Sequence, residues 1–173
     1  MNDSLILHED ESLSLVEMSK SKNGILLYRA TRDGFDAKDF HSRCDGKAKT
    51  ITIIKDDLNC VFGGYASASW NSSNQYINDP NAFLFSLRRD GKSYNDKFTI
   101  KNAAYALYGS SSDGPIFGQF SHLLCPFDNQ SNDPLFGCIL FDFGYSYNLP
   151  DRYFLAGKWK TTEIEVYQIV DKI

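Results

Sequence analysis

The sequence has no basic cluster. Its densest basic run is the pair Arg88-Arg89, and its formal net charge is −4. Nucleic-acid binding relies on a basic face that neutralises phosphates and releases counterions, so no nucleic-acid partner is expected. No apolar run reaches the ~20 residues that carry a helix across a bilayer. The stretch Met1 to Glu11 is polar and acidic, without the positive start and apolar middle of a secretory signal. No integral membrane segment is expected, and a cytoplasmic location is. Cysteine is sparse and unpaired: Cys44, Cys60, Cys125 and Cys138 include no C-x-x-C. In such a chain these read as small, mostly buried hydrophobes rather than disulfides. There is no G-x-S-x-G, and neither Gly63-Gly64 nor the Gly109–Gly114 segment carries the lysine of a phosphate loop.

Aromatic residues, by contrast, are plentiful, with 13 Phe and 10 Tyr among 173 residues. They favour strands, and a chain of this length can bury a full core as one domain. Two helices are expected near the start, over Glu11–Lys20 and Ala37–Cys44. Gly24 would take the left-handed position past the first, and Asp36 would cap the second. In the second helix Ala37, Phe40 and Cys44 share the core face. Thr50–Lys55 and Cys60–Tyr65 read as a hairpin, with Gly63-Gly64 marking a bulge or a close backbone approach. Further strands are expected at Ile25–Ala30, Phe83–Arg89, Phe98–Ile100, Ala104–Tyr108, Cys138–Phe143, Tyr153–Trp159 and Ile164–Val170. Long loops fall at 67–81 and 110–115. The spacing predicts a mainly β fold with small helices, either an antiparallel sandwich or a barrel. The N-terminal 1–24 is read as a helical extension that docks on a core at 25–170.

Five segments carry a resemblance. They are Leu26 to Phe35 (LLYRATRDGF), Val61-Phe62-Gly63-Gly64-Tyr65 with Trp70, Ala82 to Leu87 (AFLFSL), Gly114 to Gly118 (GPIFG), and Glu163-Ile164-Glu165-Val166-Tyr167. In order and spacing they resemble the TLDc family. The resemblance implies a two-sheet antiparallel β-sandwich over a single domain, 1–173. It also implies a link to protection from oxidative stress, a role in oxidation resistance without an enzymatic mechanism, and binding to the peripheral sector of the vacuolar proton ATPase. It marks Arg32, Asp33, Gly34, Gly63, Gly64, Trp70, Glu163 and Glu165 as family-motif and candidate partner-binding residues. The chain departs from the family pattern at Gln119 to Pro126, where the proline disfavours a central strand. The expected state is a monomer that acts on a protein partner through the 67–81 loop, the 110–115 loop and the acidic strand at 163–165.

Each motif also has a plainer reading. Arg32-Asp33-Gly34-Phe35 has turn chemistry, with Asp33 bonding backbone and Gly34 at positive φ. Glu163 and Glu165 stand two apart on a strand, with Cα atoms ~7 Å apart, a separation that inverting glycoside hydrolysis uses. The opposite face carries Ile164, Val166 and Val170, so the two glutamates are expected in solvent. His41 with Cys44, and His122 with Cys125, offer the donor types of tetrahedral zinc. Their spacing is not that of paired metal knuckles, and Cys44 falls on a core face, so no metal or cofactor is expected. A hydrolase using Glu163/Glu165, or a metal-dependent enzyme using the His/Cys set, is the alternative to an interaction module.

Overall fold

The computed structural model describes residues 1, 3–21, 23–119, 136–138, 145–149 and 158–170. The chain is mainly β and forms two antiparallel sheets. Helix α1 (Glu9–Ser19) leads into strand β1 (Asn23–Arg29), the short helix α2 (Ala30–Asp33) and helix α3 (Ala37–Cys44). Strands β2 (Thr50–Asp56), β3 (Val61–Ala66), β4 (Tyr76–Ile77), β5 (Phe83–Arg89) and β6 (Lys92–Thr99) follow. A 3-10 turn (Ala103–Tyr105), β7 (Leu107–Tyr108), β8 (Ile116–Phe117), β9 (Phe136–Cys138) and β10 (Lys158–Val170) complete the order. The large sheet runs β1-β10-β2-β3-β5-β6, with β9 also paired to β10, and the small sheet runs β4-β7-β8.

The aromatic and β-branched runs form the strands expected of them, and several boundaries differ for physical reasons. The left-handed residue after α1 is Lys20, at φ 57, while Gly24 lies inside β1 with Tyr167 against it. Residues 30–33 form a helical turn rather than the end of a strand. β6 is far longer than Phe98–Ile100 suggests. It is an edge strand, and its polar Lys92 to Lys97 need no apolar alternation because one side faces water. Asp90 and Gly91, both at positive φ, make the two-residue turn that matches hairpin twist. The 67–81 loop contains β4, and the segment 104–108 divides between the 3-10 turn and β7. Within 158–170 the last strand is continuous, with a register shift between Thr161 and Glu163. Of the strands expected at 138–143 and 153–159, residues 139–143 and 153–157 lie outside the described residues.

The large sheet is covered on both faces. One face packs Tyr28, Ile54, Phe62, Leu84, Ile164 and Val166 against α3 and the small sheet, through Phe40, Trp70, Leu107 and Phe117. Trp70 sits between Phe40 and Phe117 in edge-to-face contact, at centroid distances of 5.6 and 5.4 Å, and donates its indole N–H to Thr50 Oγ1 at 2.9 Å. Such a partner is what a buried indole needs. The other face packs Ile51, Ile53, Phe83, Phe85, Leu87 and Tyr167 against Met1, Ile6, Leu15 and Met18. The N-terminal residues thus act as a second cover over the sheet.

Gly63-Gly64 mark a close approach. A Cβ on Gly64 would stand 2.6 Å from the Phe117 ring, and one on Gly63 would meet the Thr52 carbonyl and the Phe85 ring. The glycines let the small sheet settle onto the large one. Phe117 is fully buried and cannot swing away. Replacing Gly64 with alanine is therefore expected to destabilise the chain by about 1–3 kcal/mol, measured as a lower chemical-denaturation midpoint with an unchanged slope.

Candidate functional site

The turn motif is built around one carboxylate. Asp33 accepts from the Arg29 amide at 2.9 Å and from Arg32 Nε and Nη2 at 2.9 and 2.7 Å, and it pairs with Arg43 at 3.1 Å. The Arg32 guanidinium holds the Asp33 carboxyl below the usual carboxylate range. A depressed folded-state pKa adds stability above the unfolded value, and this stability is lost as pH falls through the folded one. Gly34 takes φ 113, its carbonyl accepts from the Tyr28 hydroxyl at 2.7 Å, and a Cβ there would overlap the Asp39 carboxylate. The motif is a structural corner. Arg32 and Arg43, each 46% exposed at the side chain, present charge from it.

Glu163 and Glu165 do not lie in solvent. They are 7% and 0% exposed, because the N-terminal cover and α2 close over the face that the alternation of apolar residues leaves open. Glu163 accepts from the Thr31 amide at 3.1 Å, the Thr31 hydroxyl and the Ile164 amide at 2.9 Å. Glu165 accepts from Arg29 Nε at 2.9 Å, Ser4 Oγ at 2.6 Å and the Leu5 amide at 2.9 Å. Each carboxylate is saturated by its own donors, which is the pattern of a structural buried acid rather than of a cooperating acid and base. Neither is placed to touch a partner across the surface. Gly63, Gly64 and Trp70 are buried as well, so of the eight motif residues Arg32 is the exposed one.

Of the four zinc donors, His41 and Cys44 are described. Cys44 is fully buried, and burial pushes its thiol well up, as it also raises the Cys60 thiol. His41 Nδ1 lies 2.8 Å from Asp45 Oδ1 and Nε2 lies 2.8 Å from the Asp113 carbonyl. His122 and Cys125 lie outside the described residues. Among the described residues no three His, Cys, Asp or Glu side chains cluster as a metal site.

The His41 contacts do bring a serine, a histidine and an aspartate together. Ser72 Oγ bonds Asp45 Oδ2 at 2.7 Å and lies 3.2 Å from His41 Nδ1. A hydrolytic triad needs the serine on Nε2 and the aspartate on Nδ1. Here both crowd Nδ1, and a backbone carbonyl occupies Nε2. The cluster is a three-way fastener joining α3, the 67–81 loop and the 110–115 loop.

Those two loops are stitched into one surface. The Asn74 amide donates to the Gly109 carbonyl at 2.6 Å, and the Gly109 amide donates back to Gln75 at 2.9 Å. The Ser111 amide bonds Asn74 Oδ1 at 2.9 Å. Buried Asp79 gathers the amides of Ser67, Ala68 and Asn81. Tyr76, Tyr105, Tyr108 and Tyr145 stand beside them in ring contact. Sequence spacing gives no sign of this grouping, since the four tyrosines come from three separate segments.

Residues 1–170 match the TLDc domain family. This chain belongs to the TLDc family. A stretch of 44 residues is 36% identical to the MTOR-associated protein MEAK7 of Danio rerio, covering 25% of this chain and 10% of that protein's length. The matched TLDc region spans both layers of the sandwich and the N-terminal cover, and no helix among the described residues is long and apolar enough to cross a membrane.

Proposed function

We propose that this TLDc chain is a non-catalytic protein-interaction module, a cytoplasmic monomer whose partner is the peripheral sector of the vacuolar proton ATPase and whose binding protects against oxidative stress. The observation that carries the reading is the fused surface of the 67–81 and 110–115 loops. Its Ser, Asn, Gly and Tyr content suits protein recognition, because tyrosine supplies contact area at low conformational cost and the short polar side chains adapt their hydrogen bonds. A scaffold held rigid beneath the loops lowers the ordering entropy of binding. The saturated Glu163 and Glu165 and the blocked His41 favour the interaction module over a hydrolase that would use these residues.

The test is a pull-down from cytosol with the intact chain, read by mass spectrometry. Enrichment of peripheral ATPase subunits is expected, and it should fall when Ser72, Ser73 and Asn74 are replaced together by alanine. Full enrichment by that variant would move the interface elsewhere. No enrichment by the folded parent chain would overturn the proposed partner.

A further inference from the structure

His41 faces acceptors on both sides of its ring. Nδ1 lies 2.8 Å from the Asp45 carboxylate, and Nε2 lies 2.8 Å from the Asp113 carbonyl. The hydroxyl proton of Ser72 goes to Asp45 Oδ2, at 2.7 Å. An imidazolium brings a proton to each nitrogen, whereas a neutral ring brings one and turns a lone pair on the other acceptor. The protonated ring therefore makes the complete clasp. With the His41 side chain only 10% exposed, a lone pair aimed at an acceptor gains little relief from water. The surrounding charges favour the same form. Asp45 approaches from the end of α3 and Asp113 from the 110–115 loop, while residues 68–78 of the third element carry no charge. Of the cations on or just after α3, Lys38 pairs with Asp36 and Arg43 with Asp33, and Lys47 is exposed.

We propose that His41 is a proton-operated latch for the 110–115 loop, closed on the imidazolium and released from the neutral ring. The neutral ring keeps its proton on Nδ1, because an ionised carboxylate is a stronger acceptor than a carbonyl. Nε2 then presents a lone pair to the Asp113 carbonyl, and this contact is the one that breaks. Asp113 leaves together with its own turn. Its carboxylate accepts from the Ser110 and Ser112 hydroxyls and its amide donates to Ser110 Oγ, all within the loop. The Ser111 amide on Asn74 Oδ1 stays as a tether to the 67–81 loop. Closure takes up a proton that the open loop gives back. The closed form thus gains as pH falls and is lost as pH rises, between about pH 5 and 8 where imidazole changes charge. The use of the latch rests on the reading of these loops as the partner surface. A closed loop is already ordered for binding, and an open one must be ordered at a cost, so partner capture is stronger on the acid side.

The test is an NMR titration of the intact chain from about pH 5 to about pH 8. Ring nitrogen shifts report the proton on each nitrogen, and the signal missing from His41→Gln assigns this ring among the three histidines. The expected result is loss of the Nε2 proton with Nδ1–H retained, while the Asp113 and Gly114 amides shift at the same midpoint as the ring. His41→Gln, whose amide does not titrate in this range, should abolish the amide response. Asp45→Asn removes the carboxylate that retains the Nδ1 proton. It should move the neutral ring to the Nε2–H form and keep the loop closed at high pH. Thermal unfolding of each variant separates a lost latch from a lost fold. Capture of peripheral ATPase subunits by the parent chain should fall about fivefold from the acid to the alkaline end, as the net contribution of one hydrogen bond implies, and by His41→Gln it should not.

Loss of the Nδ1 proton first in the parent chain, or Asp113 and Gly114 amides that do not follow the ring, would overturn the latch. Capture by the parent chain that varies with pH no more than capture by His41→Gln would overturn its control of binding. No capture at either pH, with the amides still following the ring, would sink the partner-surface reading and leave the latch standing.

Discussion

A chain carrying Glu165→Ala is expected to lose about 3 kcal/mol of unfolding free energy, with a thermal midpoint lower by on the order of 10 °C. An exposed strand glutamate would move stability by no more than about 0.5 kcal/mol, so the experiment separates the two placements of this residue cleanly. The size follows from what the carboxylate holds. It is fully buried, and it binds Arg29, the Ser4 hydroxyl and the Leu5 amide at once. Its removal strands a guanidinium and two further donors against an apolar face. The loss sits at the lower end of the range for broken buried pairs because Arg29 remains 13% exposed at the side chain and can recover water. Denaturant unfolding followed by far-UV circular dichroism measures it. A change within about 0.5 kcal/mol would mean that residues 3–5 do not close over Glu165 in solution.

The second large effect is expected at Glu11. Its carboxylate grips Arg88 through two bonds, Nε to Oε1 at 2.7 Å and Nη2 to Oε2 at 2.6 Å, and the side chains are 1% and 4% exposed. Arg88 also donates to the Ile6 carbonyl and to Asn59 Oδ1. Glu11→Ala leaves this cation buried without its counter-ion, for an expected loss of about 3–5 kcal/mol. Replacing both partners with methionine should recover most of it, to within about 1 kcal/mol of the parent chain, because a buried ion pair and an apolar pair of similar volume are close in free energy. Failure of the double replacement to recover stability would show that the hydrogen bonds to Ile6 and Asn59, and not the ion pair, fasten α1. Hydrogen exchange at Leu15 and Met18 gives a local readout, since these residues sit under the same cover.

The same two glutamates show where sequence reading reaches its limit. The alternation of Ile164 and Val166 with Glu163 and Glu165 correctly signals a strand with one apolar face. It says nothing about what lies over the other face, because that cover comes from Thr31 over Glu163 and from Ser4 and Leu5 over Glu165, 132, 161 and 160 positions away in the chain. Periodicity is a local property, whereas burial is set by whichever segment folds back. β6 was hard to read for the opposite reason. As an edge strand it is polar over most of its length, and backbone pairing with β5 rather than side-chain pattern defines it. Elements whose signals are local came through. Asp36 and Ala37–Cys44 gave the helix with its core face, and Gly63-Gly64 the close approach.

By itself, then, the order of residues determined the β-rich class, the principal strands, the α3 face and the family motif, since each depends on contacts within a few positions or on a fixed string of residues. Only the tertiary structure decided which face of the large sheet is solvated, namely neither where residues 1–20 and the small sheet lie. It turned the candidate acid pair into internal fasteners and brought Ser72 and Asp113 from distant loops onto His41 and Asp45 as a clasp. It also brought Tyr76 and Tyr145 into ring contact with Tyr105 and Tyr108. Each of these rests on pairs far apart in sequence, and their proximity exists only once the sheets have closed on one another.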